Sequence, residues 1–169
     1  MPSTEAALSE LQDRATLWSV GEIPAGEVVD AACDALVVGL DSPGLRVLAA
    51  CTRAEAGYAV HDLLPAALDE LGLVLDPVAG VAREEAAVRA LARRMLSGQL
   101  ASWELTFLLH QRYGHELPLV ERLVELDDEY AVIEGDDEAV ARVTAAVMEE
   151  ARRIADRPRD MVELADAQG

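Results

Sequence analysis

The sequence predicts an all-α fold, a multi-helix bundle built from helix hairpins. Three observations carry the prediction. Between glycines and prolines the chain falls into segments of 10 to 20 residues rich in Ala, Leu, Glu and Arg, all strong helix formers. Several segment starts carry capping residues. Apolar residues recur at helical spacing within the segments. At 169 residues the chain fits one domain, 1–169, and its length allows sub-lobes at 1–80 and 81–169.

Helices are expected near 4–16, 24–38, 43–50, 53–71, 82–97, 102–113, 118–133 and 137–156, with a further one near 158–166. Ser42-Pro43 reads as an N-cap followed by the first helical position. Thr52 followed by Glu55 has capping-box spacing. Asp136 before Asp137 and Glu138 places acid where the helix dipole favours it. Val88, Leu91 and Met95 form one stripe; Leu119, Leu123, Leu126, Tyr130 and Ile133 a second; Val140, Val143, Val147 and Ile154 a third. Trp103 to Leu109 is apolar nearly all round, which predicts a central, buried helix. Trp18, Trp103, Phe107 and Tyr113 are expected in the core. Leu71 to Leu75 has the look of a short strand, and one such strand makes no sheet.

A faint repeat runs through this pattern. Gly21 to Val28 aligns with Gly98 to Leu105, and Gly39 with Pro43 aligns with Gly114 and Pro118. The shared marks are a turn, a helix, a glycine stop and a proline-started helix. Duplicated helix hairpins and the punctuation common to any two hairpins both account for them.

Composition sets the functional classes. About half the residues are apolar and only two are cysteine, so the chain is neither disordered nor a disulfide scaffold. Cys33 and Cys51 are expected as reduced, buried, small hydrophobes. No apolar run approaches the length of a membrane span. The first dozen residues carry Glu5 and Glu10 and no apolar core, unlike a signal peptide, so a cytoplasmic location is expected. There is no Lys and no Asn, and all fourteen basic residues are Arg, as a high-GC genome would give. The net charge of −18 argues against a nucleic-acid partner.

That charge is concentrated. Residues 116 to 138 hold ten carboxylates against Arg122 alone, a net −9 within 23 residues. On a helix over 118–133, Glu121, Glu125 and Asp128 share one face, opposite the leucine stripe. Such like-charged neighbours cost a helix a few tenths of a kcal/mol per pair, roughly. A solvated face of an acidic protein and a docking face for a strongly basic partner both fit. Neither Asp127-Asp128-Glu129 nor Asp136-Asp137-Glu138 has the ligand alternation or the central Gly of an EF-hand, so no metal site is expected.

Catalytic signatures are missing. The sequence lacks G-x-S-x-G, a P-loop, G-x-G-x-x-G and C-x-x-C. His61-Asp62 has the doublet of HD-type phosphohydrolases, but the upstream His that family needs is absent, because His61 is the first in the chain. His110 and His115 are five apart across Gly114, a spacing that does not put both imidazoles on one helix face. No enzyme activity and no cofactor are expected. An enzyme built on His110, His115 and Glu116 is the outlying alternative.

The stretch Leu91-Ala92-Arg93-Arg94-Met95-Leu96-Ser97-Gly98-Gln99-Leu100-Ala101-Ser102-Trp103-Glu104-Leu105 resembles the opening of colicin D-type, self-protective bacterial immunity proteins. Their pattern is L-A-x-x-F-L-x-x-x-I-[ST]-x-x-E-F. Met95 stands for the first Phe, Leu100 for Ile, Ala101 for the Ser/Thr cap and Leu105 for the second Phe, with Ser102 able to shift the cap by one. An acidic segment and a final amphipathic helix follow in similar order. The likeness covers residues 90 to 155 and leaves the first 80 without a counterpart. It implies a helical bundle that binds a basic nuclease toxin and blocks it with carboxylates. By position in the segment, Glu121, Glu125, Asp127, Asp128 and Glu129 are the expected contacts, with Asp136 and Asp137 beside them. The other expectation is a helical scaffold or regulatory domain that binds a protein through its apolar N-terminal half.

Overall fold

A computed structural model of the chain describes residues 2–75 and 80–156. The fold is all-α: eight α-helices, one 3-10 turn and no strand among the described residues. The chain divides into two compact units, Met1–Ala79 and Gly80–Gly169. Each carries four α-helices among its described residues. The helix expected near 158–166 lies outside the described residues.

The first unit comprises α1 (Thr4–Ser19), α2 (Ala25–Val37), α3 (Pro43–Ala49) and α4 (Arg53–Glu70). Ser42 Oγ accepts from the Leu45 N–H at 3.1 Å, with Pro43 at the first helical position. At α4 the capping box closes in both directions. Thr52 Oγ1 accepts from the Glu55 N–H, and Glu55 Oε2 accepts from the Thr52 N–H at 2.9 Å. α2 packs on α1, α3 and α4, and α3 packs on α4. Leu11, Val28, Leu45, Leu48, Val60, Leu64 and Leu68 form the core, with alanines filling between them. α3 and α4 approach at Gly44, whose N–H donates to Glu70 Oε2 at 2.7 Å. A Cβ there would stand 3.0 Å from the Ala67 backbone, so the crossing needs glycine.

Three expectations fail in this unit. Residues 71–75 form no strand. α4 ends in a glycine turn, with the Leu73 N–H reaching back to the Leu68 carbonyl at 2.8 Å. The Val74 carbonyl then accepts from Gln12 Nε2 at 2.8 Å, a side-chain bond in place of a ladder. The cysteines are not buried: Cys33 is exposed and Cys51 half-buried. Each thiol faces a carbonyl of α3, Cys33 that of Ala49 and Cys51 that of Val47. Trp18 is only partly buried, against the rim of the unit's core.

The second unit comprises α5 (Val81–Leu96), α6 (Ser102–Tyr113), a 3-10 turn (Pro118–Val120), α7 (Glu121–Val132) and α8 (Asp137–Ala155). The single helix expected over 118–133 is thus two pieces. Pro118 starts the turn, and the Val120 N–H bonds back three residues to the Leu117 carbonyl before α7 begins. All three predicted stripes face inward for most of their length. Val88, Leu91, Met95, Leu123, Leu126, Val143, Val147 and Ile154 are buried, whereas Val140 is exposed.

The repeat survives as local geometry and stops there. Gly21 and Gly98 share a φ of +80°, and the residue after each bonds back to the carbonyl five before it at 2.9 Å, Glu22 to Leu17 and Gln99 to Arg94. Beyond that turn the units part. In the first unit the opening helix packs on α2; in the second it packs mainly on the last helix, α8.

Candidate interaction face on the second unit

α7 is amphipathic with the charge outside. Leu123, Val124 and Leu126 are buried. Glu125, Asp128, Glu129 and Val132 are exposed, and the Glu121 side chain is nearly half exposed. Glu121 opens the helix, where the dipole favours a carboxylate. The predicted face of Glu121, Glu125 and Asp128 is therefore present on one helix. Asp136 and Asp137 lie elsewhere, at the start of α8. Asp136 is its N-cap and accepts from the Ala139 N–H at 3.0 Å, and Asp137 is its first residue.

The carboxylates are not equivalent. Arg122 Nη1 donates to Glu125 Oε2 at 2.9 Å and to Glu129 Oε1 at 3.2 Å. Those bonds, Glu125's first, raise the Arg122 guanidinium above its ordinary value. Glu121 Oε1 pairs with His115 Nδ1 at 3.0 Å. Asp127 is turned toward α6, its side chain only 18% exposed. One of its oxygens accepts from Thr106 Oγ1 at 3.0 Å, and the other meets His110 Nδ1 at 2.9 Å. Asp127 thus ties α6 to α7. Asp128 stands 3.8 Å from the same His110 nitrogen, with its side chain 62% exposed.

The two histidines share no helix face, since α6 ends at Tyr113, yet they come together. The His110 and His115 ring centroids lie 6.0 Å apart, edge to face. The chain turns at Gly114, φ +50°, and α7 draws both Nδ1 atoms toward it, His110 to Asp127 and His115 to Glu121. Spacing counted along one helix does not apply across such a turn. Glu116 is exposed, and His110, His115 and Glu116 belong to no metal-holding set of three, nor does any other such set occur among the described residues.

The largest departure from expectation is α6. It is not a central, buried helix. Leu105, Thr106, Leu109 and Tyr113 are buried, but Trp103 is 58% exposed and Phe107 50% exposed. α6 has α7 against it along one side, with lesser contacts to α5 and α8. One such face can be filled by leucines and by Thr106, whose hydroxyl donates within the α6–α7 bridge. The bulkier rings are left outward. At about 100° per residue, positions 103, 106, 107 and 110 fall within one arc of roughly 100°. Trp103 and Phe107 therefore border the line of Thr106 and His110 that meets Asp127. Ala101 is the N-cap, and Glu104 Oε2 accepts from its N–H at 2.8 Å. Ser102 Oγ instead accepts from the Tyr130 hydroxyl of α7 at 3.3 Å.

Comparison with protein-family models, curated proteins and solved structures found no match for the chain. The immunity-protein likeness therefore rests on the residues of the α5–α6 stretch alone. The sequence reading assigned the acids by position and missed Trp103 and Phe107. Their i, i+4 spacing beside Thr106 and His110 was the available signal, and the apolar neighbours Leu105, Leu108 and Leu109 masked it.

Proposed function

We propose that the protein is a non-catalytic binding protein, an immunity-type inhibitor that docks a basic, nuclease-like toxin on the α6–α7 face of its second unit. The observation that carries the reading is the solvent-facing row Glu121, Glu125, Asp128 and Glu129, served by one arginine. Such a row steers a cationic partner and raises its on-rate, while affinity comes from apolar anchors beside it. Exposed Trp103 and Phe107 supply them. Blocking an active site needs roughly 800 Å² per partner, an area within reach of two helices of this length.

The test is capture from native lysate at low and high salt. Wild type is compared with the Glu121→Arg/Glu125→Arg/Asp128→Arg variant, and the nuclease activity of whatever is held is then assayed. A basic nuclease held by wild type, released by salt and by the variant, and silenced at one equivalent supports the reading. A partner indifferent to both overturns it.

A second reading has one observation behind it. In the first unit Val47 and Tyr58 are exposed and, with Ala50, Cys51, Glu55 and Ala59, line a shallow groove of about 190 Å³. That groove suits docking of an apolar segment to a scaffold or regulatory domain.

A further inference from the structure

We propose that the α6–α7 face selects arginine over lysine, because Trp103 and Phe107 form a stacking platform for guanidinium groups that Asp128 and its neighbours neutralise. This deepens the reading that the second unit binds a basic protein, and it rests on that reading. Phe107 is the only phenylalanine in the chain and Trp103 one of two tryptophans, yet both rings face solvent. They lie at i, i+4 on α6, so their side chains are neighbours on one helix face. The same arc carries His110, and His110 Nδ1 lies 3.8 Å from exposed Asp128. The rings therefore border the negative face of α7 rather than standing apart from it.

The carboxylates on this face divide by availability. Asp127 is engaged by Thr106 and His110. Glu125 and Glu129 share Arg122, and Glu121 holds His115. Asp128 has the most exposed side chain of the five acids on α7. A guanidinium laid on an aromatic face keeps its edge N–H groups free to pair with a carboxylate, and it sheds water more readily than an ammonium. A lysine ammonium meets the same charge without the flat contact. An acidic surface alone gives arginine only the edge of its two-pronged hydrogen bond to carboxylate. Two exposed rings beside it add a flat contact that lysine does not match.

The experiment uses the full chain labelled with 5-fluorotryptophan and two defined probes, deca-arginine and deca-lysine. Fluorine NMR then reports two indoles, Trp103 on the proposed platform and Trp18 in the other unit as an internal control. At low salt, deca-arginine is expected to shift the Trp103 resonance, leave Trp18 in place and bind at least about fivefold tighter than deca-lysine. Trp103→Leu/Phe107→Leu should cut that preference severalfold, to what the carboxylates alone give, and leave the salt dependence intact. Both side chains are half exposed or more, so the variant keeps its core. Equal affinity for the two peptides with an unmoved Trp103 resonance would overturn the platform and leave acidic docking standing. Failure of both peptides to bind at low salt would overturn the platform and the docking reading together.

Discussion

The two units have opposite ways of carrying charge. In the first, thirteen carboxylates are spread over 79 residues against three arginines, with no run. Several of these acids serve local structure: Glu55 closes a capping box, Glu70 receives the Gly44 N–H, and Asp41 pairs with Arg46. In the second unit the segment 116–138 alone carries −9, and the rest of Gly80–Gly169 is close to neutral. Unequal charge on similar helices teaches where to look for function. Dispersed acid keeps a surface solvated, whereas acid gathered beside exposed aromatics gives a face with direction and with anchors.

The comparison can be broken first at the close helix crossing. Gly44→Ala should destabilise the first unit by about 1–3 kcal/mol, because the added Cβ meets Ala67 backbone at 3.0 Å as well as the Glu70 carboxylate at 2.9 Å, and only the carboxylate can swing away. Thermal unfolding followed by hydrogen exchange should place the loss in α3 and α4 and leave partner binding by the second unit unchanged. Loss of binding in that variant would mean that the units are not functionally separable.

Asp127→Ala is the next largest. It removes the bridge from α7 to Thr106 and His110 in a part-buried site, leaving the Thr106 hydroxyl only the Trp103 carbonyl of its own helix at 3.0 Å, and should cost the second unit roughly 1–2 kcal/mol. Asp128→Ala, one residue on but exposed, should stay within about 0.5 kcal/mol. Chemical denaturation of the pair separates the structural acid from the docking acid. Equal effects would erase that distinction.

A smaller effect comes from pH. Hydrogen bonds from the Thr52 N–H, then the Thr52 hydroxyl, hold the Glu55 carboxyl below its ordinary value. A depressed carboxyl contributes stability that is full above the unfolded value and lost as pH falls through the folded one. Acid unfolding of the first unit should therefore have a component below the ordinary glutamate range that Glu55→Gln removes. An acid limb unchanged by that substitution would show the cap to be idle.

Much of the fold was legible because helix ends are written locally. Ser42-Pro43, Thr52 with Glu55, and Asp136 each cap the helix they were expected to cap. The stripes through Val88, Leu123 and Val147 also face inward as their period demands. What periodicity cannot supply is how many sides of a helix meet neighbours. Trp103 and Phe107 lie in an apolar run, but the neighbours α5, α7 and α8 leave their part of α6 uncovered, so both rings emerge. Similarly, His110 and His115 meet by pairing with Asp127 and Glu121 of the next helix, which no spacing rule along one helix contains. The acidic face of α7 was readable from charge count alone, yet the count could not tell Asp127, turned inward, from Asp128.

The most direct measurement is hydrogen–deuterium exchange of the whole chain with and without deca-arginine at low salt. The account predicts added protection in α6 and α7, residues 102–132, with α3 and α4 unchanged. Protection centred instead on residues 47–59 of the first unit would contradict it and place binding at the groove beside Tyr58.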